Sequence, residues 1–166
     1  MGRQLWSYSV KRVIIPAMLV AVTVVIARVF IIPIPMTHGN INLCDAGIII
    51  AAFLYGKRDG LIVGGLTGFL LDLISGYAQY MFFSLIVHGL EGLIFGWLGY
   101  NKSRKLQVVA LVAGVIIMVA GYFITDSILY KVPTGLIGIP TNLLQGFVGA
   151  IIGMPIALRL KKSLKI

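Results

Sequence analysis

The sequence predicts an all-α integral membrane protein built as a single bundle of six transmembrane helices. Of its 166 residues, 59% are hydrophobic and only 11% are charged, and the mean hydropathy is +1.01. Soluble domains do not have this composition. The apolar residues also fall into runs of the length that a membrane helix needs, about 20 residues. These runs predict helices at about 13–34, 43–55, 61–75, 81–99, 106–129 and 137–158.

Helix 1 follows a basic N-terminal segment, which raises the question of a cleaved signal peptide. Its apolar run is too long for the core of a signal peptide, and no A-x-A-like cleavage site follows. We therefore expect helix 1 to be retained. Pro33 and Pro35 are expected to end it, because proline has no N–H for the helix ladder.

Helices 2 and 3 are joined by the short turn "GKRDG", residues 56–60. At about 1.5 Å per residue, both helices are short for a full crossing. We expect them to tilt, to extend into their flanks or to span the membrane incompletely.

Helices 4 and 5 are joined by "NKSRK", residues 101–105, and Pro133 and Pro140 are predicted to bracket the start of helix 6. The short loops leave no room for a second domain, so residues 1–166 are expected to form one unit. Glycines recur at four-residue spacing on three helices, which favours close packing of helix backbones in lipid. These glycines are Gly60, Gly64, Gly68, Gly92, Gly96, Gly149 and Gly153.

The basic residues sort by loop and so indicate the topology. Of the 14 lysines and arginines, Lys131 alone falls in a loop on the outer side if the N-terminus is cytoplasmic, and Arg28 falls within helix 1. The other twelve fall in inner segments, which places both termini in the cytoplasm. The net charge of +9 thus reports topology and contact with anionic lipid rather than nucleic-acid binding. The inner segments hold Arg3, Lys11, Arg12, Lys57, Arg58, Lys102, Arg104, Lys105, Arg159, Lys161, Lys162 and Lys165.

The polar side chains within the helices all fall in the outer half of the membrane or at its midplane. On helix 4, in "SLIVHGLEGLIFGW", His88 is expected roughly 10 Å deep and Glu91 roughly 15 Å deep, with Ser84 nearer the outside. The inner halves of the helices contain no ionisable residue. A channel or self-sufficient carrier should line a path through both halves. The sequence instead predicts a polar cup that opens to the outside.

Ionisable groups in a membrane span are costly, and they are candidates for function by default. We predict that His88 and Glu91, which share a helix face, hydrogen-bond a polar ligand, with the loop 35–45 as a lid. In the alternative interpretation His88 and Glu91 satisfy each other, and Arg28 pairs with Asp126. Further candidates for ligand binding are Asn40, Asn42, Gln79, Tyr122, Asp126, Asn142 and Gln145.

Other chemistries find little support in the sequence. The H-x-x-E pair alone is too small for a metal site, which needs three or four ligands. Cys44 is the only cysteine, so no internal disulfide is possible, and we expect it to be a small residue near a helix end. No P-loop, positioned nucleophile or cofactor motif is present, so the sequence predicts neither an enzyme nor a cofactor.

Several segments carry a resemblance to a known family. They are "AMLVA" at 17–21, "INLCDAGIIIAAFLYGKRDGLIVGGLTGFLLDLISGYAQY" at 41–80, "HGLEGLIFGWLG" at 88–99 and "IPTNLLQGFVGAIIG" at 139–153. In these segments the chain resembles the substrate-binding S components of energy-coupling factor (ECF) vitamin transporters, and it is most similar to the riboflavin and hydroxymethylpyrimidine-type branch. Cys44 stands where that family would have a glycine.

The resemblance implies a receptor in a prokaryotic plasma membrane that binds a vitamin or its precursor. Such a subunit docks on a transmembrane T subunit that carries two ATPases, and it topples to carry its loaded pocket inward. Ala17 and Ala21 match the A-x-x-x-A motif of helix 1 and would form the docking face. The expected ligand is a flat heterocycle similar to hydroxymethylpyrimidine or pyridoxine.

Two other functions stay open at this point. The chain could be a self-contained proton-coupled carrier or channel, with His88 and Glu91 as the proton relay. It could also be a structural membrane subunit without a ligand, in which the polar side chains pair with one another.

Overall fold

The computed structural model describes residues 2–34 and 39–165, with side chains from residue 10 onward. This part of the chain contains six helices and a ribbon of two very short strands. The helices are α1 (Gly2–Val29), α2 (Cys44–Tyr55), α3 (Lys57–Ser75), α4 (Met81–Gly99), α5 (Arg104–Leu129) and α6 (Val132–Leu164). The strands are β1 (Ile32–Pro33) and β2 (Asn40–Ile41).

The all-α prediction needs one correction, after helix 1. This helix ends at Val29 instead of reaching residue 34, and β1 pairs antiparallel with β2 through Ile32 opposite Ile41 and Pro33 opposite Asn40. Pro33 disfavours helical geometry in the residue before it, although the apolar run itself continues. The predicted role of Pro35, and the part of the lid at 35–38, lie outside the described residues.

Helix α6 begins at Val132 and ends at Leu164, beyond the predicted 137–158 at both ends, and its two predicted bracketing prolines differ in position. Pro133 lies in the first turn, where its missing N–H breaks no helical hydrogen bond. Pro140, however, lies inside the helix and does not bracket its start. Membrane helices tolerate internal proline because neighbouring groups can satisfy the freed backbone positions.

Among the described residues, four helices are long and apolar enough to cross a membrane. They comprise Val10–Val29, Met81–Gly99, Arg104–Leu129 and Val132–Leu164. Helix α2 is apolar but has only 12 residues, and α3 carries Lys57, Arg58 and Asp59 in its first turn. This pattern makes the chain a multi-pass membrane protein. Helix α2 is short as predicted, whereas α3 extends into its N-terminal flank to Lys57 and reaches 19 residues, which is one of the expected alternatives.

Glycine faces bring α3 and α4 into backbone contact. A Cβ on Gly92 would lie 2.6 Å from the carbonyl carbon of Gly60, and one on Gly64 would lie 2.9 Å from the carbonyl carbon of His88. Real Cβ atoms do not come this close to backbone atoms, so only glycine fits at these positions. The predicted packing role of these glycines is confirmed. Helix α2 lies at the centre and contacts α1, α3, α4 and α6.

Several basic residues gather at one end of the bundle. Lys161 near the end of α6 hydrogen-bonds Asn101 in the α4–α5 turn, and its ammonium lies 5.5 Å from the centre of the Tyr100 ring. Lys11, Arg12 and Arg58 line one cleft at the same end. The ends of α1 and α6 that carry the chain termini therefore lie on one side, and the opposite end is left for the polar side chains of the candidate site.

Candidate ligand-binding site

A polar cavity lies at the end of the bundle opposite the basic residues. It offers about 40 Å³ to the centre of a water molecule, which is room for a few water molecules. The lining comes from the ribbon and its flanks, the C-terminal end of α3, the residue before α4, the C-terminal part of α5 and the N-terminal part of α6. It consists of Ile34, Gly39, Asn40, Asn42, Asp72, Tyr80, Tyr122, Asp126, Gly138, Thr141, Asn142 and Gln145.

The ribbon is held over α6 and α2 by amide side chains. The backbone N–H of Asn42 donates to Oε1 of Gln145 at 3.0 Å, and the side-chain amide of Asn42 donates to Oδ1 of Asn40 at 2.9 Å. Oδ1 of Asn42 accepts the backbone N–H of Cys44 at 2.8 Å, two residues along the chain. This last bond is an Asx turn, which starts α2 and fixes the Asn42 side chain at the cavity wall.

Tyrosine and aspartate side chains form the opposite wall. The Tyr80 hydroxyl donates to Oδ1 of Asp126 at 2.6 Å. Burial, and then this hydrogen bond, raise the pKa of Tyr80, so its phenol remains a donor at any physiological pH. The Tyr80 ring centre lies 6.5 Å from that of Tyr122 and 6.3 Å from that of Tyr130. These rings offer flat apolar surface beside the hydrogen-bonding groups.

A chain of polar contacts leads from the cavity down α4. The hydroxyls of Tyr122 and Ser84 share a hydrogen bond of 2.7 Å, and the ring centres of Tyr122 and His88 lie 5.4 Å apart, edge to face. Nδ1 of His88 lies 2.8 Å from Oε2 of Glu91. His88 and Glu91 are 2% and 0% exposed, so they lie beneath the cavity rather than at its surface.

The N-terminal turn of α2 adds a thiol and a third carboxyl group to this pair. Sγ of Cys44 lies 3.6 Å from Nε2 of His88 and 3.3 Å from Oδ1 of Asp45. That Asp45 oxygen is also 3.5 Å from Nδ1 of His88. Cys44 and Asp45 are both fully buried. Oδ2 of Asp45 and Oε1 of Glu91 have no hydrogen-bond partner.

Most of the predicted site residues come together. The cavity lining includes six of them, and His88 and Glu91 form the layer below. Gln79 does not line the cavity; it is exposed, with its amide 3.4 Å from the Tyr130 hydroxyl. The six in the lining are Asn40, Asn42, Tyr122, Asp126, Asn142 and Gln145.

The alternative pair of Arg28 and Asp126 was wrong. Arg28 is exposed on α1, and in the described part of the chain α1 packs only on α2 and α3, whereas Asp126 belongs to α5. Asp126 instead accepts the hydrogen bond from Tyr80. By contrast, the expected contact between His88 and Glu91 is present.

The sequence analysis did not predict every residue that lines the cavity. Asp72, Tyr80 and Thr141 line the cavity without having been singled out as ligand contacts. Asp72 had a usable signal, since it is a carboxyl group in an apolar helix. Cys44 was expected to be only a small residue near a helix end, yet its sulfur contacts His88 across 44 positions of sequence, a contact that no local pattern reveals.

Ala17 and Ala21 lie apart from the cavity, on α1. Both are exposed, as is Met18 between them at 62%, whereas Val20 and Val24 face the bundle. The small residues therefore face away from α2 and α3. Such a face allows a helix of another protein to approach closely.

The chain is similar to known proteins over nearly its whole length. A family model described as the S component of the ECF-type riboflavin transporter matches residues 7–162. The thiamine precursor transporter HmpT of Lactococcus lactis subsp. cremoris (strain MG1363) is 39% identical over 145 residues, which cover 87% of this chain and 84% of that protein.

Two further relatives extend the comparison. An uncharacterised protein from the gap 3′ region of Pyrococcus woesei is 33% identical over 146 residues, covering 87% of this chain and 96% of the relative. A UPF0397 protein of Lactobacillus helveticus (strain DPC 4571) is 27% identical over 159 residues, covering 87% and 85%.

Proposed function

Because this chain belongs to the family of ECF-type riboflavin transporter S components, we propose that it captures a thiamine precursor of the hydroxymethylpyrimidine class from outside the cell. It would then deliver this ligand by docking on a T subunit that carries two ATPases. A pyridoxine-like ring is the next candidate ligand. The family is one of transporter components, so no catalytic step is assigned to this chain.

The observation that carries the proposal is the polar cavity at one end of the bundle. Its lining combines amide groups with carboxyl groups and tyrosine hydroxyls, which can both donate to and accept from a ring nitrogen, an amino group and a hydroxymethyl group. Tyr80 and Tyr122 supply ring surface for a flat heterocycle. A pyrimidine carries these features in one plane.

His88 and Glu91 support the site from below in this proposal. Glu91 contacts His88, and the His88 ring packs edge to face on the Tyr122 ring. The Tyr122 hydroxyl shares a hydrogen bond with Ser84. Ligand entry that shifts Tyr122 would bring His88 within reach of the ligand. His88 and Glu91 thus form the floor of the site, and the residues of the cavity lining make the first contacts.

The orientation proposed here places the cavity outside and both termini in the cytoplasm. Its support is the gathering of Lys11, Arg12, Arg58 and Lys161 at the end opposite the cavity, as the positive-inside rule requires. We further propose that α2 and α3 complete six crossings, although α2 alone is too short at 12 residues to cross unaided.

Docking on the T subunit is proposed to use the exposed face of α1 around Ala17 and Ala21. Leucine at both positions would add bulk to this face without touching the cavity, which α1 itself does not line. We expect vitamin binding to be kept and ATP-driven uptake to be lost. Met18→Leu, also exposed on α1, is the control for the presence of a leucine there.

The ligand is tested by calorimetric titration of the purified chain with hydroxymethylpyrimidine, pyridoxine, thiamine and riboflavin. We expect hydroxymethylpyrimidine to bind most tightly, and Asn142→Leu, at the cavity wall, to weaken binding by about 10-fold or more, the equivalent of one lost hydrogen bond. Gln79→Leu is the matched control, since that amide is exposed outside the lining.

Two results would contradict the proposal. One is the absence of binding by any of the four compounds. The other is uptake by the chain alone in liposomes under a pH gradient, without an ATPase partner, which would favour the proton-coupled carrier.

A further inference from the structure

The buried cluster beneath the cavity carries more acidic than basic groups. It comprises the Cys44 thiol and the carboxyl groups of Asp45 and Glu91, and its one basic member is His88. No lysine or arginine forms an ion pair with these carboxyl groups among the described residues. Two carboxyl oxygens, Oδ2 of Asp45 and Oε1 of Glu91, are buried without a hydrogen-bond partner. Burial of such atoms is costly unless a cation or a proton satisfies them.

A thiol, a carboxyl group and an imidazole lie close enough together to converge on a small metal ion. Cys44 Sγ, a carboxyl oxygen of Asp45 and a ring nitrogen of His88 all lie within 4.8 Å of one another. A tetrahedral zinc ion with bonds of about 2.0–2.3 Å separates its ligand atoms by about 3.5 Å. The sulfur lies 3.6 Å from Nε2 of His88 and 3.3 Å from Oδ1 of Asp45. Oδ1 of Asp45 lies 3.5 Å from Nδ1 of His88, so the Asp45 side chain would have to rotate toward Nε2 to complete such a set.

The fourth member of the cluster fits a supporting role. A metal-bound histidine usually directs its other ring nitrogen at a carboxylate, which fixes its orientation and its tautomer. If Nε2 of His88 binds the ion, Nδ1 is left to donate to Oε2 of Glu91 at 2.8 Å. Glu91 would then act as the partner of the ligand and not as a ligand itself.

We propose that Cys44, Asp45 and His88 bind a divalent transition-metal ion of the zinc class, with Glu91 orienting His88. A mixed sulfur, nitrogen and oxygen set selects such an ion over Mg²⁺ or Ca²⁺, which prefer oxygen alone. The thiolate and one carboxylate would neutralise its two charges within the bundle. The three ligands leave a fourth position for water or for a donor atom of a solute.

The cavity gives this site a route of access. Gln145, which lines the cavity, has its amide nitrogen 4.0 Å from the Cys44 sulfur, and Tyr122, also in the lining, contacts the His88 ring. An ion entering through the cavity would therefore pass these two side chains. The sequence did not reveal the site, because Cys44 and Asp45 lie on α2 and His88 and Glu91 lie on α4, and the two pairs are far apart along the chain.

The test is a titration of the full purified chain, stripped with a chelator, with cobalt(II) chloride alone. We expect one Co²⁺ per chain, the visible absorption of a tetrahedral complex, and a sulfur-to-cobalt charge-transfer band. Cys44 is the only cysteine in the chain, so this band has a single possible source. Elemental analysis of protein purified without chelator should find about one equivalent of zinc or a similar metal.

Variants separate the ligands from their supporting group. Cys44→Ala should abolish the charge-transfer band, and Glu91→Gln should keep the band but weaken Co²⁺ binding about 10–100-fold. Asp59→Asn, a carboxyl group at the basic end of the bundle, is the control and should change neither. Thermal unfolding without metal shows whether each variant is folded.

Three results would overturn the metal site: no saturable Co²⁺ binding by the wild-type chain, a complex without the charge-transfer band, or a spectrum that survives Cys44→Ala. The probe is the metal alone, so these results are independent of vitamin binding. A failure here leaves the proposed transport function standing, and a failure to bind vitamins leaves this site testable.

Discussion

Replacing Gly92 by alanine tests the close contact between α3 and α4. The new Cβ would lie 2.6 Å from the carbonyl carbon of Gly60 and 2.9 Å from Cγ2 of Ile48, whereas ordinary contacts begin at 3.4 Å. The backbone of α3 would have to retreat by about 0.8 Å to restore ordinary contact with that carbonyl carbon, and by more for the carbonyl oxygen of Gly60, which is nearer still. Backbone cannot rotate away as a side chain can, so the cost should be that of an overpacked core, about 1–3 kcal/mol.

Gly89→Ala is the matched control on the same helix. Its Cβ would meet Leu61 Cδ1 at 3.4 Å and the Cα of Gly65 at 3.7 Å, which are ordinary distances. Both variants share the gain in helix propensity, about 1 kcal/mol, so the difference between them isolates the clash at Gly92.

The assay is thermal unfolding in detergent, followed by intrinsic fluorescence or by loss of monodisperse protein. At about 2–4 °C per kcal/mol for a chain of this size, Gly92→Ala should melt about 2–12 °C below Gly89→Ala. Equal melting temperatures for the two variants, or a Gly92→Ala protein more stable than Gly89→Ala, would refute the reasoning.

Three further predictions concern single contacts. Tyr80→Phe removes the hydrogen bond donated to Asp126 at 2.6 Å and should lower the free energy of unfolding by about 1–3 kcal/mol in chemical denaturation. A double-mutant cycle of Ser84→Ala and Tyr122→Phe should give a coupling energy of about 0.5–1.5 kcal/mol; additive effects would mean that their 2.7 Å contact contributes nothing. Gly76 ends α3 with φ +86° and has open space around it, so Gly76→Ala should cost about 1–2 kcal/mol through backbone strain alone, and Gly76→Asn should cost less in the same melting assay.

The helices were largely predictable because their signal is local. The bounds of α4 agree with the prediction at both ends, and α2 begins one residue later than expected. The prediction of helix ends fails where the path of the chain depends on pairing between strands and not on hydropathy. The apolar residues after Val29 continue the pattern of a membrane helix, yet they turn into β1 because β2 is present to pair with them.

The candidate site was predictable only in part. Depth along the helices found Asn142 and Gln145 on α6 and Tyr122 on α5, because a polar group in an apolar helix stands out. The depth of a residue along its helix does not say which way its side chain points around the helix axis, or which other helix it contacts. It therefore placed Arg28 opposite Asp126, although Arg28 faces away from the bundle.

The sequence by itself determined the class of protein, the presence of six helices, the bounds of α2, α4 and α5 to within about two residues, and the family. Hydropathy, charge distribution and short motifs are properties of neighbouring residues. Only the tertiary structure decided which polar groups meet. Cys44 contacts His88 because α2 packs directly on α4, where a Cβ on Gly92 would lie 2.9 Å from Cγ2 of Ile48. Contacts between residues 44 positions apart depend on packing of the whole bundle, and no local pattern encodes them.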